Sequence, residues 1–137
     1  ACVGSRAPHV WLDADGVRVS TLDFFGERMV LVTGMAGEAW RRAAQAVSRT
    51  LDIPLGALTI GGAELTDVSA QWRSAFGIDA DGAVLVRPDG HIAWRSAGAA
   101  ADTVATLEYA VARALGFDPS TRRAAVAAMD ASSRRCA

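Results

Sequence analysis

The strongest constraint on the fold is a pair of short apolar runs that flank one amphipathic segment. Residues 29–32 are apolar without alternation, which predicts a strand covered on both faces. Residues 57–60, which read Ala-Leu-Thr-Ile, predict a second buried strand. Residues 38–51 between them show helical spacing of apolar side chains, and Pro54 follows. A strand, a helix and a strand over this length predict a right-handed parallel unit. The predicted buried side of the helix is Ala39, Trp40, Ala43, Val47 and Leu51.

An N-terminal hairpin is predicted ahead of this unit. Asp15-Gly16 is a turn signal between strands predicted over residues 9–12 and 17–19. Ser20 and Asp23 have the spacing of a capping box, so we expect one short helical turn to follow over residues 23–25.

A second hairpin is predicted near the end of the sheet. Residues 83–86 and 91–94 are apolar runs separated by Arg87-Pro88-Asp89-Gly90. Proline presets φ for a turn, and glycine accepts a left-handed conformation, so these runs predict an antiparallel pair with positive φ at Gly90.

Three further helices complete the pattern. Asp67 can cap a helix over residues 68–76, and residues 102–115 and 120–131 show helical patterning. In the longest of these, the predicted core stripe is Val104, Leu107, Val111 and Leu115.

The order of elements is a β-hairpin followed by β-α-β-α-β-β-α. A parallel pair extended by an antiparallel hairpin predicts an α/β, thioredoxin-like fold, with a mixed central sheet flanked by helices and an N-terminal β-hairpin. The 137 residues fit one domain, with a core over about residues 6–116 and an arginine-rich tail over residues 117–137.

Composition excludes several classes of function. The net charge of −1 gives no electrostatic case for binding nucleic acid or an anionic membrane surface. No apolar run approaches the roughly 20 residues of a membrane span, and we expect a cytoplasmic protein. All basic residues other than histidine are arginine, which excludes lysine chemistry.

The two cysteines lie at opposite ends of the chain. Cys2 and Cys136 are too far apart in sequence to form a CxxC pair. They are either two thiols on the chain ends or a disulfide that closes the chain, because the termini of a domain often lie close together. Their spacing leaves both alternatives open.

The sequence lacks the groups that a thioredoxin-like redox site needs. Such a site has a cysteine at the start of the helix after the first central strand, where the helix N-terminus lowers the thiol pKa. Residues 33–38 read Thr-Gly-Met-Ala-Gly-Glu, and residues 81–83, where a cis-proline is expected, read Asp-Gly-Ala. We therefore predict no catalytic residue, and we interpret Thr33 as a partner of backbone groups.

No other catalytic or cofactor motif stands out. The opening residues 4–8 resemble a peroxiredoxin start, but no peroxidatic cysteine follows. His9 and His91 are too isolated to predict a metal site, and the glycines do not form a dinucleotide loop. The sequence therefore predicts no metal ligand and no cofactor-binding residue.

Three segments in this order carry a family resemblance: residues 4–12, residues 20–26 and residues 86–95, the last reading Val-Arg-Pro-Asp-Gly-His-Ile-Ala-Trp-Arg. Together they are similar to the C-terminal domain of FAD-dependent aromatic-ring hydroxylases, class A flavoprotein monooxygenases of the phenol hydroxylase and polyketide hydroxylase type. The resemblance runs from about Gly4 to Gly116. It implies a thioredoxin-like module without its cysteines that has a structural or association role and no catalytic residue.

The resemblance also implies partners. FAD and NAD(P)H would belong to the parent enzyme, and this chain would dock on its FAD-binding and substrate domains, in cis or in trans, with a homodimer left open. The alternative is a stand-alone thioredoxin-like or peroxiredoxin-like protein with a divergent binding site. The candidate interface lies along the N-terminal segment and the second hairpin: Arg6, His9, Trp11, Arg87, His91, Trp94 and Arg95.

Overall fold

The computed structural model describes residues 1–135. It contains six strands and four α-helices in the predicted order. The strands are β1 (Trp11–Ala14), β2 (Val17–Ser20), β3 (Met29–Gly34), β4 (Leu55–Ile60), β5 (Ala83–Val86) and β6 (Ile92–Ser96). The helices are α1 (Glu38–Leu51), α2 (Trp72–Phe76), α3 (Thr103–Leu115) and α4 (Pro119–Arg135).

The central sheet has the order β4-β3-β5-β6. β3 and β4 are parallel, whereas β5 is antiparallel to both β3 and β6. The predicted parallel unit and the predicted C-terminal hairpin are therefore confirmed, and so is the mixed α/β fold class. β1 and β2 form a separate two-stranded antiparallel sheet at the N-terminus, as expected.

Two hydrophobic cores lie on the two faces of the sheet. On one face, Leu31 and Leu85 pack against Trp40 of α1 and Leu107 of α3. On the other face, the N-terminal segment, the β1–β2 hairpin and the short helix α2 provide the cover; Leu12, Trp72 and Phe76 are buried there. Because β3 and β5 are buried on both faces, they read as continuous apolar runs in the sequence.

The β1–β2 hairpin is shifted relative to its prediction. β1 begins at Trp11 rather than His9, because the side chain of Thr21 bonds the preceding backbone. Thr21 Oγ1 accepts from Val10 N at 3.0 Å and donates to Pro8 O at 2.7 Å. The predicted capping box is confirmed, and its helical turn is a 3-10 turn over Thr21–Phe24.

Helix α2 is shorter than predicted. Its N-cap is Gln71 rather than the predicted Asp67, and residues 68–71 form a loop. The Asp67 carboxylate reaches across this loop and accepts from Trp72 N, at the first residue of the helix, at 3.0 Å. Ala70 has φ of 53°, a left-handed conformation that cannot continue a right-handed helix.

The buried face of α3 is rotated from its prediction. Leu107 and Val111 are buried, but Val104 and Leu115 are exposed. At 3.6 residues per turn, Leu115 lies about 80° around the helix from Leu107. The sheet is contacted instead through Leu107, Ala110 and Val111. On α1, Ala39 is likewise exposed, whereas the other residues of the predicted buried side are buried.

Helix α4 packs against the carboxyl end of α1 and the middle of α3 through arginines. Arg122 Nε donates to Leu51 O at 3.0 Å, at the carboxyl end of α1. Arg123 forms an ion pair with Glu108, a carboxylate of α3 that is 6% exposed. Among residues 1–135, no helix is long and apolar enough to cross a membrane. Cys136 lies outside these residues, so both alternatives for Cys2 and Cys136, two separate thiols or a disulfide, stay open.

The turn between β5 and β6 has the predicted conformation. Gly90 has φ of 81°, and its N–H donates to Arg87 O at 2.9 Å. A Cβ built on Gly90 would meet no atom within 4 Å, so only the backbone conformation restricts this position.

We expect Gly90→Val to destabilise the domain by about 1–3 kcal/mol and Gly90→Asn by much less. A β-branched residue is strained at positive φ, whereas asparagine tolerates it. Urea unfolding of the two variants checks this. Equal midpoints would show that the left-handed conformation does not limit the turn.

Candidate docking surface

A thioredoxin-like enzyme has its thiol where the first central strand is followed by a helix. In this domain, the corresponding end of β3 and start of α1 are tightly packed against each other. Thr33 Oγ1, at the end of β3, is buried and donates to Gly82 O at 2.8 Å. A Cβ on Gly37 would lie 1.7 Å from that hydroxyl oxygen, so the start of α1 packs directly on Thr33. Trp40 Nε1 donates to Asp81 O at 2.9 Å. The interpretation of Thr33 as a partner of backbone groups is confirmed.

The exposed group at this position is Glu38. It forms ion pairs with Arg41 and Arg42 on the next turn of α1. The hydrogen bond and charge of Arg41, followed by those of Arg42, lower the pKa of Glu38. The start of α1 therefore carries a carboxylate that is already paired, which disfavours binding of an anion there.

The seven candidate interface residues fall in three places. The first place is the edge of the second hairpin. Arg6 forms an antiparallel bridge with His91, and Ile92 N donates to Ser5 O at 2.9 Å. On the other side of His91, its carbonyl accepts from Arg87 N at 2.9 Å. Arg6, His91 and Arg87 therefore lie side by side on three adjacent extended segments.

Asp89, in the turn of this hairpin, contacts two of these residues. It pairs with Arg87, and its Oδ1 accepts from His91 N at 3.1 Å. That backbone hydrogen bond, followed by the charge of Arg87, lowers the pKa of Asp89. His91 Nδ1 is 3.3 Å from Asp89 Oδ1, an ion-pair distance without the alignment of a hydrogen bond. Asp89 thus stays ionised and orders the turn.

The second place is the β1–β2 hairpin. Trp11 is 46% exposed, and its ring packs edge-on against His9 with 4.6 Å between centroids. The guanidinium of Arg18 lies 4.5 Å from the indole centroid, within range of a cation–π interaction. His9 Nδ1 is 2.7 Å from Ser20 Oγ. Trp11 also lines a shallow cleft with Val68, which is 77% exposed.

The third place is β6 itself. Trp94 is half-buried, and its ring lies 5.2 Å from that of Trp40 in an edge-to-face contact. Arg95 is exposed and donates through Nη1 to Gly77 O at 2.9 Å, which ties β6 to the end of α2. Both residues have partners within the domain.

Sequence reasoning overlooked Arg18 and Arg113. Arg18 stacks on Trp11, and Arg113 of α3 lines a cleft together with Arg87, Val3 and Gly4. Both looked like ordinary solvent-facing charges, and only the packing of distant segments shows what they neighbour. Over residues 1–135, no group of three or more His, Cys, Asp or Glu side chains could hold a metal ion.

The comparisons with known proteins agree on one family. The family model for the C-terminal region of aromatic-ring hydroxylases matches residues 1–117. Aklavinone 12-hydroxylase RdmE of Streptomyces purpurascens is 46% identical over 112 residues, which are 82% of this chain and 21% of that protein.

Two solved structures are also similar. Aklavinone-11 hydroxylase, solved with FAD and aklavinone, has 45% identity and a TM-score of 0.76 over 81% of this chain and 21% of its own. The flavin-dependent monooxygenase PieE, solved with FAD and substrate, has 38% identity and a TM-score of 0.77 over 85% of this chain and 20% of its own. The chain thus spans about one fifth of the length of these relatives.

Proposed function

The chain belongs to the family of aromatic-ring hydroxylase C-terminal domains, and from that premise we propose that it is a non-catalytic docking module of an FAD-dependent aromatic-ring monooxygenase. It acts in cis or in trans on the flavin-binding and substrate domains. The observation that carries the proposal is the tight packing of the start of α1 on Thr33. Where a thioredoxin-like enzyme needs an activated, accessible thiol, this domain has a buried Thr33 hydroxyl bonded to Gly82 O and a Glu38 carboxylate paired with Arg41 and Arg42.

The proposed division of labour follows from what each part contains. The similar solved structures hold FAD in chains about five times as long as the matched segment. This chain has no dinucleotide loop in its sequence, so we assign FAD and NAD(P)H to the remainder of the enzyme. The aromatic substrate is assigned to the remainder as well. A cytoplasmic location stays a prediction, and a homodimer stays an open alternative.

The surface of the module favours association. Trp11 is half-exposed and held in place by Arg18 and His9, so its ring loses little freedom on binding. Tryptophan and arginine are the residue types that contribute most to interface energetics. The hairpin edge around Arg87 adds a second exposed surface.

The test is a chimera of the RdmE hydroxylase in which this chain replaces the matching segment, compared with RdmE from which that segment is deleted. We expect the deletion to lose most of the folded yield. We expect the chimera to recover it, with FAD content and turnover per flavin within about threefold of RdmE. Trp11→Ala in the chimera should lower the yield, whereas Met129→Ala, which also removes an exposed apolar side chain, should not.

Two results would contradict the proposal. One is a deletion variant that keeps its yield, its assembly and its turnover. The other is a purified 137-residue chain that is yellow or quenches flavin fluorescence at micromolar concentration, because the chain would then bind the cofactor itself.

A further inference from the structure

We propose that the hairpin edge is a basic docking row, consisting of Arg6, His91, Arg87 and Arg113, that takes an acidic extended segment of the protein partner. The inference deepens the proposed function and rests on it in one respect, namely that the partner is the remainder of a hydroxylase. It adds the chemistry of recognition, in which carboxylates of the partner bind guanidinium groups of this chain.

The row is a consequence of strand pairing. Arg6 and His91 are direct partners in an antiparallel bridge, and Arg87 is joined to His91 across the β5–β6 turn. Directly opposed residues of antiparallel strands project to the same face of a sheet. Neighbouring strands are roughly 4.8 Å apart, so the three basic side chains span about 10 Å.

Arg113 extends the row from another element. The β6 face that carries Ala93 packs against α3, and Arg113 lines one cleft with Arg87 and Val3. The N-terminal segment contributes Arg6, the connection between β5 and β6 contributes Arg87 and His91, and α3 contributes Arg113. These residues are far apart in the sequence, and the row exists only in the folded domain.

The charges in the row are poorly compensated. Asp89 pairs with Arg87 and faces His91. Within residues 1–135, neither Arg6 nor Arg113 forms an ion pair. Three guanidinium groups therefore share one carboxylate, although the chain as a whole has a net charge of −1.

The surroundings of the row favour a protein segment. Val3 is 61% exposed, and Tyr109, 59% exposed, lies 5.9 Å from the Arg113 guanidinium. Guanidinium groups bind carboxylates through paired hydrogen bonds, and arginine and tyrosine beside apolar surface are typical of protein interfaces. An acidic segment with apolar side chains between its carboxylates matches this surface.

The first arm of the test uses the isolated chain and an octaglutamate peptide as the probe. We expect saturable amide shifts at residues 3–6, 87, 89–91 and 113 in a nitrogen-15 NMR titration. Arg6→Gln with Arg113→Gln should weaken binding at least tenfold. Arg49→Gln with Arg73→Gln removes the same charge from exposed arginines elsewhere and should change it less than twofold.

Three results in this arm would overturn the basic row: no binding of octaglutamate, an equal loss for both pairs of variants, or equal or tighter binding of an octathymidylate. The last result would mean that the row takes phosphates of a nucleic acid instead of carboxylates.

The second arm co-expresses the chain in trans with RdmE that lacks its matching segment and measures the amount of hydroxylase that co-purifies with the chain. We expect Arg6→Glu with Arg113→Glu to lower this amount more than tenfold, and the corresponding change at Arg49 and Arg73 to leave it within twofold. If the truncated hydroxylase binds both variants equally, the basic row is wrong and docking stands. If octaglutamate binds at the row but the hydroxylase does not bind the chain or form a folded chimera with it, the proposed function is wrong and the row stands.

Discussion

Replacing Trp40 with alanine is expected to destabilise the domain by about 3–5 kcal/mol, a large share of the roughly 5–15 kcal/mol available to a natural domain. Trp40 is 1% exposed and sits between α1, the sheet and Trp94 of β6. Its removal leaves a cavity beside α3 and deletes the hydrogen bond from Nε1 to Asp81 O. Both effects weaken the packing of α1 on the sheet and on the segment that precedes β5.

The measurement is urea unfolding with two matched variants. Trp40→Phe keeps an aromatic ring but loses the indole donor, so its cost should be clearly smaller than that of Trp40→Ala. Trp11→Ala removes the same side chain from a half-exposed site and should cost less than either. If Trp40→Ala and Trp11→Ala have similar midpoints, the packing described for α1 is wrong.

Replacing Gly82 with alanine is expected to destabilise the domain by about 3 kcal/mol or more. A Cβ on Gly82 would lie 2.4 Å from Ala97 O and 2.7 Å from Ser96 O, both backbone atoms at the end of β6. Backbone cannot move aside without breaking the β5–β6 pairing. Overpacking of this kind usually costs about 1–3 kcal/mol, and rigid surroundings raise the cost.

A glycine in the same region provides the control. A Cβ on Gly98 would lie 3.3 Å from Asp81 Oδ1, which belongs to a side chain that can rotate away. We expect Gly98→Ala to cost less than about 1 kcal/mol. The comparison of the two unfolding midpoints, with the denaturant slope unchanged, isolates the clash. A stable Gly82→Ala variant would mean that β6 ends differently.

Local patterns predicted those parts of the fold that neighbouring residues decide. The runs at 29–32 and 57–60 predicted the parallel pair. The first strand is buried on both faces and therefore leaves a continuous hydrophobic signal, whereas β4 is an edge strand in which only Ile60 is buried. Pro88 and Gly90 predicted the second hairpin, because proline restricts φ and glycine permits the positive φ that the turn requires. The predicted span of α1, residues 38–51, matches the observed helix.

Misplaced boundaries arose where a distant contact or an unusual backbone angle decided the structure. The start of α2 depends on the left-handed conformation of Ala70. Alanine rarely adopts this conformation, so the sequence does not indicate it. The rotation of α3 depends on which of its residues meets the sheet, and a stripe of alternating valines and leucines does not specify that. The start of β1 depends on hydrogen bonds to Thr21, across the hairpin.

The candidate surface was likewise predicted in part from the sequence and in part seen only in the tertiary structure. Arg6, Arg87 and His91 could be singled out from the sequence, because all three lie in segments that carry the family resemblance and the second hairpin was predictable. The sequence also determined that no cysteine stands at the start of α1, since chemistry that needs a residue type is excluded by its absence. Only the tertiary structure placed Arg113 beside Arg87 and joined Arg6 to His91. Local backbone preferences act within a few residues, whereas the pairing of the N-terminal segment with β6 and the packing of α3 on the sheet arise from burial of the whole core.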